Sequence, residues 1–300
     1  MKTLNTKSYR MGLASGGSMA VGTTQRSART PEEKKNLYIR IAIMIVAACI
    51  FVFAGSQIFM IFYKYYESDK IYSNVSNEVL NNSGHIASIV IDNSENTENN
   101  NIQVEAFDYN HEKLLSINSD AIGYFYLPAS NTRLPLVQGS DNDYYLNHSF
   151  DGTTNSSGCV FEDYRIKDGI SSTNVILYGH HMKNDGMFAP LKYYQNQNYY
   201  NTEGNDVFYL YTDNRIIQYK IFSVHIDEPI SPTYTFNFPN VASLREYAAE
   251  MKDLSMYDTG VDVSNATQIV TLSTCTAAGD GRIIVQGTYV GEGVLNSTSE

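Results

Sequence analysis

Ile269-Val270-Thr271-Leu272-Ser273-Thr274-Cys275 is an apolar run that ends on a thiol, and the residues after it, Thr276, Ala277, Ala278 and Gly279, are all small. The spacing predicts a strand over 268–272 that carries on to the cysteine, with a loop beyond it that leaves the sulfur open to approach. Working outward, similar runs occupy 122–127, 134–137, 159–162, 175–178, 207–211, 216–224 and 283–290, and Thr212-Asp213-Asn214 is a hairpin turn signal between two of them. Eight short strands with few helices between them predict an all-β barrel or sandwich rather than a doubly wound sheet. One helix is expected over 111–117. A second follows from Val241, Leu244, Ala248 and Met251, with Ser243-x-x-Glu246 as a capping box. That second helix lies in a connection over 230–264, and connections so long are often functional.

Composition sets the outer bounds. The 300 residues are 43% hydrophobic, enough for a sizeable core, which excludes wholesale disorder. A net charge of −11 argues against a nucleic-acid partner. The three cysteines lie far apart, which excludes a disulfide-dense scaffold and any pair at zinc-ligand spacing; no metal or cofactor is expected. The charge is also unevenly placed. Residues 1–40 hold eight basic and two acidic side chains, +6, so the remainder carries −17.

Between these parts, residues 41–63 run for 23 positions without a charge. As a helix the run is about 34 Å long, against a hydrocarbon core of about 30 Å. A basic flank before it and an acidic bulk after it predict one signal-anchor helix at the cell membrane, N-terminus cytoplasmic and C-terminus outside. A cleaved signal peptide would have a shorter apolar region. Val46-Ala47-Ala48-Cys49 resembles a lipobox, but cleavage there would leave apolar residues 50–63 where a polar tether belongs. The expected organisation is a cytoplasmic basic tail (1–40), a membrane span (41–63), a helix and Asn-rich stalk (64–101) and an extracellular globular domain (102–300).

Three residue types at strand ends carry the chemistry. Cys275 alone favours a buried core cysteine, the commoner fate of a free thiol. Arg282 is the only arginine after it and stands where the loop becomes the next strand; its guanidinium offers fixed N–H donors to a developing oxyanion, although surface arginines at strand starts are common. His180 closes the strand N-V-I-L-Y-G-H, with Gly179 allowing close backbone approach; histidine is the usual proton carrier near neutral pH, and an ordinary loop histidine is the rival reading. Together the three outweigh any one of them.

"LYGHHM" (177–182), "MFAPL" (187–191) and "TLSTC" (271–275), with an arginine before the next apolar strand, resemble a class B sortase, and the likeness extends upstream through "GYFYLPASNTRLPLVQGSDNDYYLNHSFDG" (123–152). It spans about 102–292. The resemblance implies a mostly β fold of α+β type: an eight-stranded sortase barrel with peripheral helices, preceded by one transmembrane helix. It implies a cysteine transpeptidase in which Cys275 attacks a C-terminal sorting signal after Thr, His180 moves protons and Arg282 stabilises the oxyanion with a backbone N–H from the loop after Cys275. The implied partners are secreted proteins bearing the sorting signal and a peptidoglycan-precursor (lipid II) amine. Asn142, Leu146, Ser273 and Thr274 match positions of the substrate groove, and Tyr234 covers the peptide. Turn, core and strand roles compete for Asn142, Leu146 and Ser273. Some class B members carry an acidic residue where this chain has Ala277, which argues against a Cys–His–Asp triad here.

Two other functions compete. A thiol hydrolase would form the same acyl-enzyme and differ only in its acceptor. A non-catalytic surface protein would bind through its barrel and tolerate loss of Cys275.

Overall fold

The structure, a computed structural model, describes residues 29–91 and 101–295. The chain divides into two units, Met1–Gln57 and Ile58–Glu300. Helix α1 (Pro31–Val79) contains the whole uncharged run and is long and apolar enough, by length and composition, to cross a membrane. Its C-terminal turns lie in the second unit, where Ser68, Val75 and Val79 are buried.

Ten strands follow in one sheet. They are β1 (Leu80–Ile91), β2 (Asn101–Tyr109), β3 (Ala121–Leu127), β4 (Thr132–Val137), β5 (Val160–Glu162), β6 (Asn174–Tyr178), β7 (Val207–Thr212), β8 (Arg215–Asp227), β9 (Ile269–Cys275) and β10 (Arg282–Val294). Helix α2 (His111–Ile117) precedes β3, a single turn α3 (Gln197–Tyr200) precedes β7, and α4 (Val241–Asp253) lies between β8 and β9. The strand order is β2-β1-β10-β8-β7-β3-β4-β5-β6-β9, and β9 pairs again with β10, so eight strands close into a barrel. Closure leaves those strands no free edge to protect.

The eight expected strands are the eight barrel strands, and the turn expected at 212–214 joins β7 to β8, with Asp213 at φ 41°. The expectation of a helix followed by a stalk over 64–101 did not include β1. This strand pairs with β2 along most of its length, and its end (Val90, Ile91) pairs with Glu292 and Gly291 of β10. Strand β10 is long enough to hold β9 with its first half and β1 with its second, so the sheet gains a hairpin outside the barrel. Residues 1–28 of the expected basic tail and all but the last residue of the Asn-rich stalk expected over 92–101 lie outside the described residues.

Alternation along the strands fills the barrel. Val270 and Leu272 of β9, Ile283 and Val285 of β10 and Val175 and Leu177 of β6 join one buried cluster with Phe125, Phe208 and Tyr219. The opposite face of these strands carries a buried polar set beside Ile176, Ile269 and Ile284. Thr271, Asn174, Gln286 and Tyr247 of α4 form a closed set: Gln286 donates to Thr271 Oγ1 and to the Tyr247 hydroxyl (both 2.9 Å), and Thr271 donates to Asn174 Oδ1 (2.9 Å). The Gln286 amide nitrogen and the Thr271 hydroxyl are thus paired, while Gln286 Oε1 is buried without a partner. Helix α4 is capped by Asn240, whose side chain accepts from Ser243 N (3.0 Å). This corrects the expected Ser243–Glu246 box: the helix begins earlier, at Val241, and Asn240 holds the extended cap conformation.

Candidate active site

Strand register gathers the candidate residues at one end of the barrel. Arg282 is the direct antiparallel partner of Cys275, so the two side chains leave the same face of adjacent strands. That face also carries Ser273 and Thr271, two and four residues back. On the other side of β9 runs β6, parallel, with Tyr178 level with Ser273; His180 follows Tyr178 by two residues, as Cys275 follows Ser273. Gly179 N donates to Ser273 O (3.1 Å), which keeps the two chains together past the end of β6. Gly179 is required by packing: a Cβ there would lie 2.7 Å from the ring of Phe188.

Both histidines of the pair are fixed by main-chain carbonyls. His180 Nε2 lies 2.7 Å from Leu146 O, and His181 Nδ1 lies 2.7 Å from Cys275 O. A carbonyl can only accept, so Nε2 of His180 carries a proton and Nδ1 is the nitrogen left to gain or lose one. By the same reasoning His181 donates from Nδ1 to the backbone of the cysteine. Sequence reasoning assigns His181 no role. Its adjacency to His180 was the one available signal, and only the fold shows that the ring turns toward Cys275.

The β9–β10 loop is tight. Thr276 N donates to Gly281 O (3.0 Å), Gly279 N donates to Thr276 O (3.0 Å), and Thr276 Oγ1 donates to Asp280 (2.8 Å). Gly279 holds φ +79°, a conformation that suits glycine. The N–H directly after Cys275 is therefore already bonded, and the half-buried Arg282 fork opposite it is a flexible donor set. One of its nitrogens reaches Gly281 O (3.1 Å).

Of the candidate groove residues, Ser273 and Tyr234 meet: their hydroxyls lie 2.9 Å apart, and Tyr234 stacks on Tyr178 with ring centroids 6.0 Å apart. Burial raises the Tyr234 hydroxyl above its ordinary range, and the charge of Arg282 opposes that shift, which places the phenol within electrostatic reach of the arginine. Leu146 joins through its carbonyl on His180. Asn142 lies further off, accepting from Tyr164 N (3.0 Å). That turn continues to Asp163, which takes two bonds from the Arg165 guanidinium (2.9 and 2.7 Å), one from Arg165 N (3.0 Å) and one from the Tyr178 hydroxyl (3.0 Å). These donors hold the Asp163 carboxyl below its usual range despite burial. Sequence reasoning did not reach this Asp163–Arg165–Tyr178 set, because its members sit on different sides of a strand pairing.

Thr274 does not join the groove. It pairs with Ile283, a barrel-core residue, so its side chain faces inward, buried, with Oγ1 unpartnered. The two-residue period of the strand requires this once Ser273 and Cys275 face outward.

Comparison with known proteins agrees with this geometry. The Sortase domain family model matches residues 126–290. Sortase B of Listeria monocytogenes is 31% identical over 182 residues, covering 59% of this chain and 72% of that protein. Among solved structures, Clostridium perfringens sortase B superposes with a TM-score of 0.56 at 31% identity, over 60% of this chain and all of that one. Sortase B of Bacillus anthracis gives 0.59 at 26% identity, over 77% of this chain and 99% of that one. The matched region begins at the end of β3 and ends within β10, so it takes in the six barrel strands between them and all three strand ends described above. The chain belongs to the sortase family, in its class B branch, and is a cysteine transpeptidase.

Proposed function

We propose that this enzyme is held at the outer face of a cell membrane by residues 41–63, with its N-terminus cytoplasmic, and that it fixes secreted proteins to the cell wall. The proposed organisation keeps the basic tail over 1–40 and the span over 41–63. The segment 64–101 serves as a connector whose β1 strand joins the sheet, and 102–300 forms the catalytic domain. The observation that carries the site reading is the register: Cys275 stands opposite Arg282, with His180 at the matching place on the parallel strand.

In this reading the Cys275 thiolate attacks the threonine carbonyl of a C-terminal sorting signal. Arg282 donates to the oxyanion while the carbonyl carbon is tetrahedral. The C–N bond breaks as His180 protonates the leaving amine, and a thioester remains on Cys275. An amine of a peptidoglycan precursor then attacks the thioester, gives its proton to His180 and expels the thiolate, which restores the enzyme. Tyr234, Ser273, Asn142 and Leu146 line the path of the peptide. A single uncleaved anchor suits this task because both substrates arrive at the membrane surface.

Incubating the full-length protein in detergent with a library of sorting peptides, with and without an amine acceptor, tests the reading. An amide product that appears only with the acceptor supports it; hydrolysis unchanged by the acceptor favours the thiol hydrolase. Protease added to intact protoplasts tests the topology: a released fragment that contains Cys275, with residues 1–40 protected, is the expected result.

A further inference from the structure

We propose that Tyr72, on the helix that leaves the apolar span, is a positioning residue for His180 and acts through Gly158; this rests on the reading of His180 as the proton carrier. The Tyr72 hydroxyl donates to the carbonyl of Gly158, 86 residues away in sequence. Gly158 holds φ +58°, and a Cβ added there would lie 2.4 Å from Tyr145 O, 2.9 Å from Leu146 O and 3.1 Å from His180 Cδ2. The glycine backbone therefore lies against the imidazole ring, and no other residue fits the gap.

The other side of the slot is the Leu146 carbonyl, which accepts from His180 Nε2 at 2.7 Å. The two sides are tied together, because Cys159 N donates to Tyr145 O at 2.9 Å. Movement of Gly158 is thus movement of one wall of the histidine slot. The Tyr72 hydroxyl bonds α1 directly to that wall.

Packing alone does not explain the tyrosine. Tyr72 lies against both large core clusters, and Val75 and Val79 are buried on the same stretch of helix, so a phenylalanine would seat the helix as well. The hydroxyl adds a bond to a main-chain carbonyl. Burial holds the phenol protonated well past its ordinary range, so it remains a donor throughout the working pH of the enzyme. A cavity of about 240 Å³ continues the contact, with Ser68, Asp69 and Tyr72 on one side and Ser157, Met182 and Met187 on the other. Residues just before Gly158 and just after His180 thus share a wall with α1. The connector that follows the span is a structural part of the site rather than a passive tether.

The test uses the full-length chain in detergent and acyl transfer from a sorting peptide. Tyr72→Phe is expected to lower kcat about tenfold, leave KM within about twofold and shift the limb of the kcat–pH profile that His180→Ala removes, with the melting temperature nearly unchanged. Val75→Ala, on the same helix, is expected to lower the melting temperature and leave the pH profile in place. Wild-type kcat and an unshifted profile in Tyr72→Phe would overturn the proposal, as would an equal profile shift in Val75→Ala. Full activity in His180→Ala would instead overturn the assignment of the histidine, and this proposal with it.

Discussion

Cys159 and Cys275 are both free thiols of the barrel, and they differ in exposure and in the groups around them. Cys159 stands just before β5, 1% exposed, packed in a core cluster with Phe150, Phe161 and Tyr145. Burial pushes its thiol up to about 12. Cys275 ends its strand at a loop of small residues, half-buried, with Arg282 across the ladder and a histidine ring on its own carbonyl. The difference lies in where each strand ends relative to the core. A thiol one residue inside the packing is inert, and the same group at the mouth is available.

The largest expected effect breaks the pair apart outright. Cys275→Ala should reduce acyl transfer by at least about a thousandfold, since no other group near it can form the thioester. Arg282 comes next: Arg282→Lys should be nearly as damaging as Arg282→Ala, with losses of about 10²–10³ in rate, because an ammonium cannot reproduce the planar fork. Melting of both variants should stay near wild type, since the side chain is half-exposed at the barrel mouth. Tyr234→Phe removes one hydroxyl from Ser273 and should cost about two- to tenfold, mainly in KM.

The same contrast recurs in neighbouring carboxylates and gives a pH prediction. Glu162 is fully buried with neither oxygen partnered, and desolvation, with the charge of Asp163, raises it to about 8. Asp163, one residue on, is held low by Arg165. An acid whose folded pKa exceeds its unfolded value favours the fold below the unfolded pKa of about 4.5, and that contribution is lost as pH rises toward about 8. Glu162→Gln should therefore melt higher than wild type at pH 8 to 9 and much the same at pH 5. The smallest effect belongs to the inert thiol: Cys159→Ala should leave activity within about twofold and lower the melting temperature by only a few degrees.

The barrel was legible because its strands alternate and because Thr212-Asp213-Asn214 marks a turn. The reactive trio was legible because each member closes or opens a strand. What escaped depends on partners far along the chain. Strand β1 follows α1 without a break; what makes it a strand is its pairing with β2 and, at its end, with the second half of β10, some 200 residues on. The hydroxyl of Tyr72 finds Gly158 only after folding. Thr274 is expected in the groove with its neighbours, although the strand period that turns Ser273 and Cys275 to the outer face must turn it into the barrel. Helix α4 was legible in its apolar spacing, but its cap was not: it lies three residues before Ser243, at Asn240.

Alkylation of the folded full-length protein by iodoacetamide, followed by mass spectrometry of the peptides containing Cys159 and Cys275, tests the central contrast most directly. A thiol at about 12 presents about one part in 10⁵ as thiolate at pH 7. The account predicts modification of Cys275 at least a hundredfold faster than of Cys159, with the gap closing once the chain is denatured. Equal rates in the folded protein, or faster reaction at Cys159, would contradict it.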